Sequence, residues 1–244
     1  MRRLFLLGIL LVTVSSTEAG YLYKAMFVRA APGKLLDLIA LYKARLPVYD
    51  AAGDLRPFWM RHSQGDQWDL MFLFPLENYS EYFKPERVNM RQQATEKSGL
   101  PQAQFAKRFY ELAAWHEEIF VEGPALAEVQ KAFNNAEFYH VEIFLALPGK
   151  QADLYKEREM ENAYLKHLGR PENLIFTHDQ GAAWDLFTIG FYRDLKHYAE
   201  SADIPDEKEA EAARLAGFEG PDKIGTYLRT LIQLHHDTLA GVVK

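Results

Sequence analysis

The sequence predicts an α+β protein made of two tandem copies of one β-α-β-β-α-β unit. A motif occurs twice, as HSQGDQWDL at 62–70 and as HDQGAAWDL at 178–186. The same spacing of 116 residues relates Pro32-Gly33-Lys34 to Pro148-Gly149-Lys150. A constant spacing over this length indicates a tandem duplication. The order of predicted strands and helices, which is the same in both copies, is the third observation.

The N-terminus predicts a signal peptide at 1–19, cleaved after Ala19. Arg2 and Arg3 precede an apolar run at 4–14, followed by small residues. This run is shorter than the roughly 20 residues that span a bilayer. A buried first strand or helix is the alternative. We therefore expect a periplasmic or secreted protein with no stable membrane insertion after cleavage.

Composition excludes several kinds of partner and chemistry. The chain has 244 residues, 48% of them hydrophobic, and no cysteine. Disulfides, thiolate metal sites and cysteine nucleophiles are therefore excluded. The formal net charge is −6 with no basic run, which argues against nucleic acid as a partner.

Each copy alternates strand and helix patterns in the same order. The first predicts strands at 21–29, 58–63, 68–74 and 116–121, with helices at 34–49 and within 76–115. The second predicts strands at 137–146, 174–178, 184–191 and 235–243, with helices at 151–167 and within 195–234. The predicted boundaries are a first repeat at 20–122, a linker at 123–136 and a second repeat at 137–244.

Two such units, each with a tight central hairpin, resemble the dimeric α/β-barrel superfamily. That group includes antibiotic-biosynthesis-monooxygenase-like, NIPSNAP-type and chlorite-dismutase-like haem proteins. The resemblance covers 21–244 and implies two ferredoxin-like sheets packed face to face as one α/β barrel, with helices outside. It depends on element order and duplication, so it carries over no catalytic residue.

The hairpin register predicts which side chains share a face. A four-residue loop at 64–67 places His62 opposite Asp69, and sides alternate along each strand. We expect the face with Tyr23, Phe27 and Met60 to lie under the helices, and the other face to line the barrel lumen. The resulting candidates for a lumen pocket are Lys24, Trp59, Arg61, Trp68, His140, Glu142, Thr177, Trp184 and Thr188. His116 and His235, near the fourth strands, are further candidates. The sequence does not predict which face of the sheet they lie on.

The duplicated pairs His62–Asp69 and His178–Asp185 have two interpretations. A histidine held by a carboxylate is a general base. Because both copies keep the pair, we favour a structural hydrogen bond between the two side chains at the hairpin end. The two motif tryptophans, likewise, are either packing residues or platforms for a ligand.

Charged residues on the predicted lumen face suggest either a link or a ligand. Lys24 and Arg61 either pair with Glu142 across the halves or bind a small polar or anionic molecule. We predict no metal site at His235-His236-Asp237, because adjacent strand residues point in opposite directions.

Three functions remain open. The first is small-molecule binding in the lumen, with or without a cofactor-free monooxygenase-like activity. The second is a haem protein resembling the chlorite-dismutase branch, with His140 or His235 as axial ligand. The third is a non-catalytic structural or interaction protein. Self-association into a homo-oligomer is compatible with all three.

Overall fold

The structure is a computed structural model that describes residues 20–244; the predicted signal peptide lies outside the described residues. The strands are β1 (Tyr21–Ala30), β2 (Phe58–Gly65), β3 (Leu70–Glu77), β4 (Ala113–Gly123), β5 (Phe138–Ala146), β6 (Leu174–Gln180), β7 (Leu186–Tyr192) and β8 (Ile232–Val242). The α-helices are α1 (Leu35–Ala52), α2 (Tyr79–Tyr82), α3 (Pro85–Lys97), α4 (Gln102–Leu112), α5 (Leu126–Asn134), α6 (Gln151–Leu168), α7 (Leu195–Ala199), α8 (Asp206–Leu215) and α9 (Pro221–Arg229). A 3-10 helix at Glu200–Asp203 follows α7. Over 20–244, no helix combines the length and apolar character needed to cross a bilayer.

The strands form one closed barrel in the order β1-β3-β2-β8-β5-β7-β6-β4, and β4 pairs back with β1. Each repeat contributes one sheet, β4-β1-β3-β2 or β8-β5-β7-β6. Two antiparallel seams, β2 with β8 and β4 with β6, join the sheets. The predicted α+β fold, a barrel of two ferredoxin-like repeats with helices outside, is confirmed.

The lumen of the barrel is filled by large apolar side chains. Rings from the two repeats meet there edge to face: Tyr23 lies 5.5 Å from Phe176, and Phe27 lies 6.3 Å from Phe187. These four rings are all essentially inaccessible to solvent. The predicted linker segment also contributes, because α5 buries Val129 against this core. The lumen is therefore the main hydrophobic core and not a ligand pocket.

The prediction of which face lines the lumen is wrong. Along the strands alternation separates the side chains into the two sets expected, but Tyr23, Phe27 and Met60 face inward. Trp68 and Trp184, which precede β3 and β7, break this alternation and lie in the lumen as predicted. Lys24 and Glu142 lie on the outer face, beneath the helices. Both faces of these sheets are buried, so both are mainly apolar, and alternation alone does not tell the inner face from the outer.

The glycine of the duplicated motif closes each seam. Gly65 has φ +122° and Gly181 has φ +128°, which favour glycine. A Cβ at Gly65 would lie 2.1 Å from the carbonyl oxygen of Asp237, and one at Gly181 would lie 2.7 Å from that of Glu118. The motif is thus duplicated because the barrel has two equivalent seams.

The predicted hairpin register is confirmed, but the side-chain pairing is wrong. The backbone N–H groups of His62 and His178 donate to the carbonyls of Asp69 and Asp185, at 2.9 and 2.8 Å. The carboxylates turn to the adjacent strand instead. Oδ2 of Asp69 accepts from the Ala30 N–H at 2.8 Å, and Oδ2 of Asp185 accepts from the Ala146 N–H at 2.7 Å.

The histidines of these pairs lie away from the carboxylates. The His62 ring packs edge-on against Trp68, with centroids 5.8 Å apart, and the His178 side chain is exposed. No hydrogen bond joins the histidine side chain to the carboxylate in either pair within the described chain. The carboxylates therefore fix strand ends by binding backbone N–H groups.

We expect Asp69→Ala to lower the free energy of unfolding by about 1–2 kcal/mol, because the Ala30 N–H loses its acceptor. Urea unfolding of this variant, of His62→Ala and of the double variant would measure it. The two effects should add to within about 0.5 kcal/mol. A coupling energy above about 0.5 kcal/mol would show that the side chains of His62 and Asp69 interact with each other, as the sequence predicted.

Candidate functional site

The two candidate sites lie between the outer face of each sheet and the helices that cover it. Helices α1 and α4 cover the first sheet, and α6 and α9 cover the second. The 116-residue spacing makes the sites equivalent and shows how far they have diverged. Lys24, Met26 and Tyr42 of the first repeat correspond to His140, Glu142 and Arg158 of the second.

The first repeat contains a cavity of about 240 Å³ whose walls combine aromatic rings with charged side chains. The ring of Tyr42 lies 4.2 Å from Phe72 and 5.6 Å from Phe105, between centroids. Lys24, His116 and Glu118 supply polar groups from β1 and β4 on the sheet side. The rings lining the cavity are Tyr42, Tyr49, Phe74, Tyr82, Phe105, Phe109 and Tyr110.

Cations in this cavity lie against aromatic faces. The Lys24 Nζ is 2.9 Å from Oε2 of Glu118 and 4.9 Å from the centroid of Phe74. The Arg45 guanidinium lies 4.9 Å from the centroid of Phe105. Both cations can therefore contact an anionic group on a ligand that is held between the rings.

The tyrosines of the cavity remain hydrogen-bond donors. Burial raises the pKa values of Tyr42 and Tyr49, so both hydroxyls stay protonated at neutral pH. The Tyr42 hydroxyl donates to the sulfur of Met26 at 3.7 Å, and thioether sulfur is a weak acceptor. An oxygen of a bound molecule would be a stronger partner for this hydroxyl.

The equivalent space in the second repeat contains buried charges. Glu142 and Thr188 of the sheet meet Arg158 of α6, and Arg158 is 2% exposed. Oε2 of Glu142 accepts from the Thr188 hydroxyl at 3.0 Å and lies 3.7 Å from Nη1 of Arg158. Arg158 also contacts Glu157 and Glu161 of its own helix, each at 2.6 Å.

Burial and neighbouring charges separate the pKa values of these carboxyls. Burial alone would raise the pKa of Glu142, but His235 and Arg158 outweigh it and lower the pKa to about 2. Burial raises the pKa of Glu161 to about 7, since Arg158 only partly offsets the burial and the adjacent carboxylates. Glu142 is therefore the permanent anion of the cluster.

Two histidines and an aspartate lie at the outer edge of this cluster. Nε2 of His140 is 2.9 Å from Oδ1 of Asp237. Nε2 of His235 lies 3.3 Å from Oε1 of Glu142 and 3.4 Å from Oδ2 of Asp237. The His235 ring stacks on Phe144, with centroids 4.7 Å apart and an interplanar angle of 9°, which fixes its orientation.

No protein-family model and no curated protein matches this sequence. Among solved structures, an anthrone oxidase-like protein superposes over 93% of each chain, with a TM-score of 0.58 and 11% identity. The chain has the dimeric α/β-barrel fold. A proposed monooxygenase from Lactobacillus acidophilus NCFM matches 91% of this chain and 93% of its own, with a TM-score of 0.52 and 8% identity. A further proposed monooxygenase, from Fusobacterium nucleatum, covers 93% of this chain and 94% of its own, with a TM-score of 0.51 and 10% identity. At such low identities the similarity extends to the fold alone.

The predicted pocket residues lie in three different places in the structure. Lys24 and His116 share the first cavity, while His140, Glu142, Thr188 and His235 share the second cluster. Trp68 and Trp184 pack in the lumen core. The remaining three, which are Trp59, Arg61 and Thr177, lie on the outside of the barrel, where Trp59 stacks on Phe72 and Arg61 is exposed. The predicted pairing of Lys24 and Arg61 with Glu142 is wrong.

Sequence reasoning missed the helix residues of both sites. In α6 the charged residues Glu157, Arg158 and Glu161 occupy positions that correspond to Leu41, Tyr42 and Arg45 of α1. Charges at two positions that are apolar or aromatic in the first repeat are the signal that could have identified them. Their partner in the sheet, Glu142, is on β5, and a contact between a helix and a strand does not show in the periodicity of either element.

The second repeat of this dimeric α/β barrel does not fit a haem. Its two histidines point Nε2 at carboxylates 2.9 and 3.3 Å away, which leaves no room for a porphyrin plane at either nitrogen. The Arg158 guanidinium also lies 4.7 Å from the centroid of Phe144, so the space under α6 is filled by side chains. We therefore derive no haem chemistry for this chain.

Proposed function

We propose that this protein binds a small aromatic molecule carrying an acidic hydroxyl or carboxylate. The site is the cavity between the first sheet and helices α1 and α4. The observation that carries the proposal is a cavity of about 240 Å³ with aromatic walls and the Lys24 ammonium on the sheet side. Ligand pockets are typically lined by apolar and aromatic side chains with a few polar groups that fix orientation.

Size and shape restrict the ligand class. The volume is slightly below the roughly 300–1,000 Å³ of most ligand sites, which favours a compact ligand. The rings of Phe105 and Phe109, both in the lining, lie 6.5 Å apart between centroids at an interplanar angle of 11°, so they form two nearly parallel surfaces. A planar ring system has the matching shape, because aromatic rings favour offset stacking and edge contacts.

Charge restricts the ligand further. The Lys24 side chain is 23% exposed and that of its partner Glu118 is 44% exposed, so the carboxylate has room to turn toward solvent. A phenolate or carboxylate can then take its place on the ammonium. The Tyr42 hydroxyl gains a stronger acceptor in the same complex.

The finer proposal is a cofactor-free oxidation in this cavity. His116 lies among its lining residues and is the group that would accept a proton from the ligand. The resulting electron-rich anion can react with dioxygen directly. For an anthrone, the balanced reaction converts one ring methylene and O₂ into a carbonyl and water. The fold match to an anthrone oxidase-like protein motivates this choice of substrate.

Fluorescence titration with 1-hydroxy-2-naphthoate tests binding. We expect saturable 1:1 binding that Lys24→Met weakens about tenfold or more, since a charge-assisted hydrogen bond contributes about 1.5–3 kcal/mol. Lys34→Met is the matched control, because Lys34 is exposed and pairs only with Asp37 of its own helix in the described chain. The neutral ligand 1-methoxynaphthalene should bind both variants equally.

Two outcomes separate the alternatives. If Lys24→Met and Lys34→Met bind the naphthoate equally, or if no saturable binding occurs, the cavity proposal is wrong and a non-catalytic structural protein becomes the better account. Oxygen uptake with anthrone in chelator-treated buffer tests the oxidation. Ligand binding without oxygen uptake would contradict the proposed oxidation and leave the binding proposal in place.

A further inference from the structure

We propose that the second repeat binds one divalent first-row transition metal ion through His140, Glu142 and Asp237, with His235 beside them. This site is separate from the aromatic cavity of the first repeat and does not depend on the function proposed for it. The four side chains come from two adjacent strands, β5 and β8, on the face that α6 covers.

The donor atoms of His140, Glu142 and Asp237 already have the spacing of ligands around a single ion. Donors about 2.0–2.2 Å from a metal lie roughly 2.9–3.5 Å apart in tetrahedral or octahedral geometry. The observed separations are 2.9 Å for His140 to Asp237, 3.3 Å for His235 to Glu142 and 3.4 Å for His235 to Asp237. Donor atoms of His140, Glu142 and Asp237 all lie within 4.8 Å of one another.

The local charge favours a cation. Glu142 and Asp237 are direct cross-strand partners, and like charges in such positions destabilise a sheet. Three carboxyl groups, those of Glu142, Glu157 and Glu161, contact one guanidinium, that of Arg158, while Asp237 contacts only the two histidines in the described chain. Oε1 of Glu157 is buried without a hydrogen-bond partner, so the protein itself does not satisfy this group of acids. A divalent ion supplies the missing positive charge.

Neighbouring residues hold the ligands in place. Glu142 directs Oε2 at Thr188 and Arg158, which leaves Oε1 facing His235. Such outer contacts orient metal ligands and tune their basicity. Asp237 keeps 55% of its side chain exposed, which gives an ion a route from solvent.

The first repeat has a built-in cation where the second repeat would hold the metal. Lys24 replaces His140 and lies 2.9 Å from Glu118, as His140 lies 2.9 Å from Asp237. Met26 replaces Glu142, so the like-charge pair is absent there. The Lys24 ammonium thus balances the Glu118 carboxylate in the first repeat. The second repeat has the His140 imidazole at the equivalent position.

The donor set indicates which ions fit. An imidazole together with two carboxylates suits zinc, cobalt, nickel or iron more than calcium or magnesium, which favour oxygen ligands. His236 takes no part, because it faces Asp66 with Nδ1 3.0 Å from Oδ1. The histidine ligand therefore comes from β5, and of the adjacent pair only His235 lies beside the site.

Cobalt(II) titration of the chelator-treated protein, followed by visible absorption and calorimetry, tests the proposal. We expect one ion per chain and visible bands that zinc abolishes by competition. His140→Lys, which copies the residue of the first repeat, should weaken binding by about 100-fold or more, and Asp237→Asn by at least about tenfold. His236→Ala is the matched control and should bind as the parent does.

Two results would overturn the metal-binding proposal. Absence of a 1:1 complex in the parent protein overturns the proposal, and so does a complex that His140→Lys leaves unchanged. Thermal melts of each metal-free variant show whether it folds. The Asp237→Asn variant, with a largely exposed side chain, provides the second test if His140→Lys does not fold.

Discussion

Arg158→Met is expected to lower the free energy of unfolding by about 3–5 kcal/mol, as breaking a buried ion pair from one side does. Arg158 is 2% exposed and contacts Glu142, Glu157 and Glu161. Methionine keeps much of the volume and removes the charge. Three carboxylates would then lack their only guanidinium within the described chain, and two of them are deeply buried. Urea unfolding at pH 7 measures the loss.

A transplant from the first repeat separates charge from packing. The triple variant Glu142→Met, Glu157→Leu and Arg158→Tyr introduces the residues found at the equivalent positions of the first repeat. Replacing a whole buried ion cluster by well-packed apolar residues is often neutral or stabilising. We therefore expect the triple variant to recover most of the stability that Arg158→Met loses.

An exposed arginine provides the control. Arg193 is 69% exposed and lies 3.4 Å from Glu200, so Arg193→Met should change stability by less than about 1 kcal/mol. If Arg158→Met lowered the free energy of unfolding as little as Arg193→Met does, the buried charge cluster would have to be open to water.

Phe27→Ala is expected to destabilise the protein by about 3–5 kcal/mol, the usual cost of removing a buried phenyl ring. Phe27 is 1% exposed at the centre of the lumen. Its ring lies 5.7 Å from that of Trp68 and 6.0 Å from that of Trp184, so it contacts side chains of both repeats. The cavity left by alanine would therefore weaken the contact between the two sheets. Thermal and urea unfolding would both report the change.

Phe83→Ala removes the same ring from a site that is 56% exposed and should cost at most about 1 kcal/mol. Equal effects of the two substitutions would contradict a packed lumen and reopen the barrel interior as a ligand site.

The duplication allowed the architecture and the hairpin register to be predicted from the sequence. The motif at 62–70 and its copy place His62 opposite Asp69, and the backbone pairs there as predicted. Strand elements follow the predicted order in both repeats. This success has a physical cause, since repeated turns and alternating side chains are encoded locally.

The orientation of each face could not be predicted in the same way. Phe27 and Met26 are adjacent, both apolar and both buried, yet one faces the lumen and the other faces a helix. The prediction places Lys24 and Glu142 in the lumen because it assigns the more apolar face of each sheet to the helices and the mixed face to the barrel interior. Glu142 is instead stabilised by Arg158, and that partner lies on α6, beyond the reach of strand periodicity. The candidate sites depend on helix-to-sheet contacts of this kind.

The two seams that close the barrel are contacts within one chain, such as Arg61 with Gly241 and Glu122 with Thr177. If each repeat were a separate, identical subunit, symmetry would require every residue that suits one helix-covered site to occur in the other as well. Covalent fusion removes that requirement. One copy can then keep an ammonium among aromatic rings while the other accumulates imidazoles and carboxylates. A single gene product can thus hold two unlike binding sites in one folding unit, and protein concentration has no part in holding its halves together.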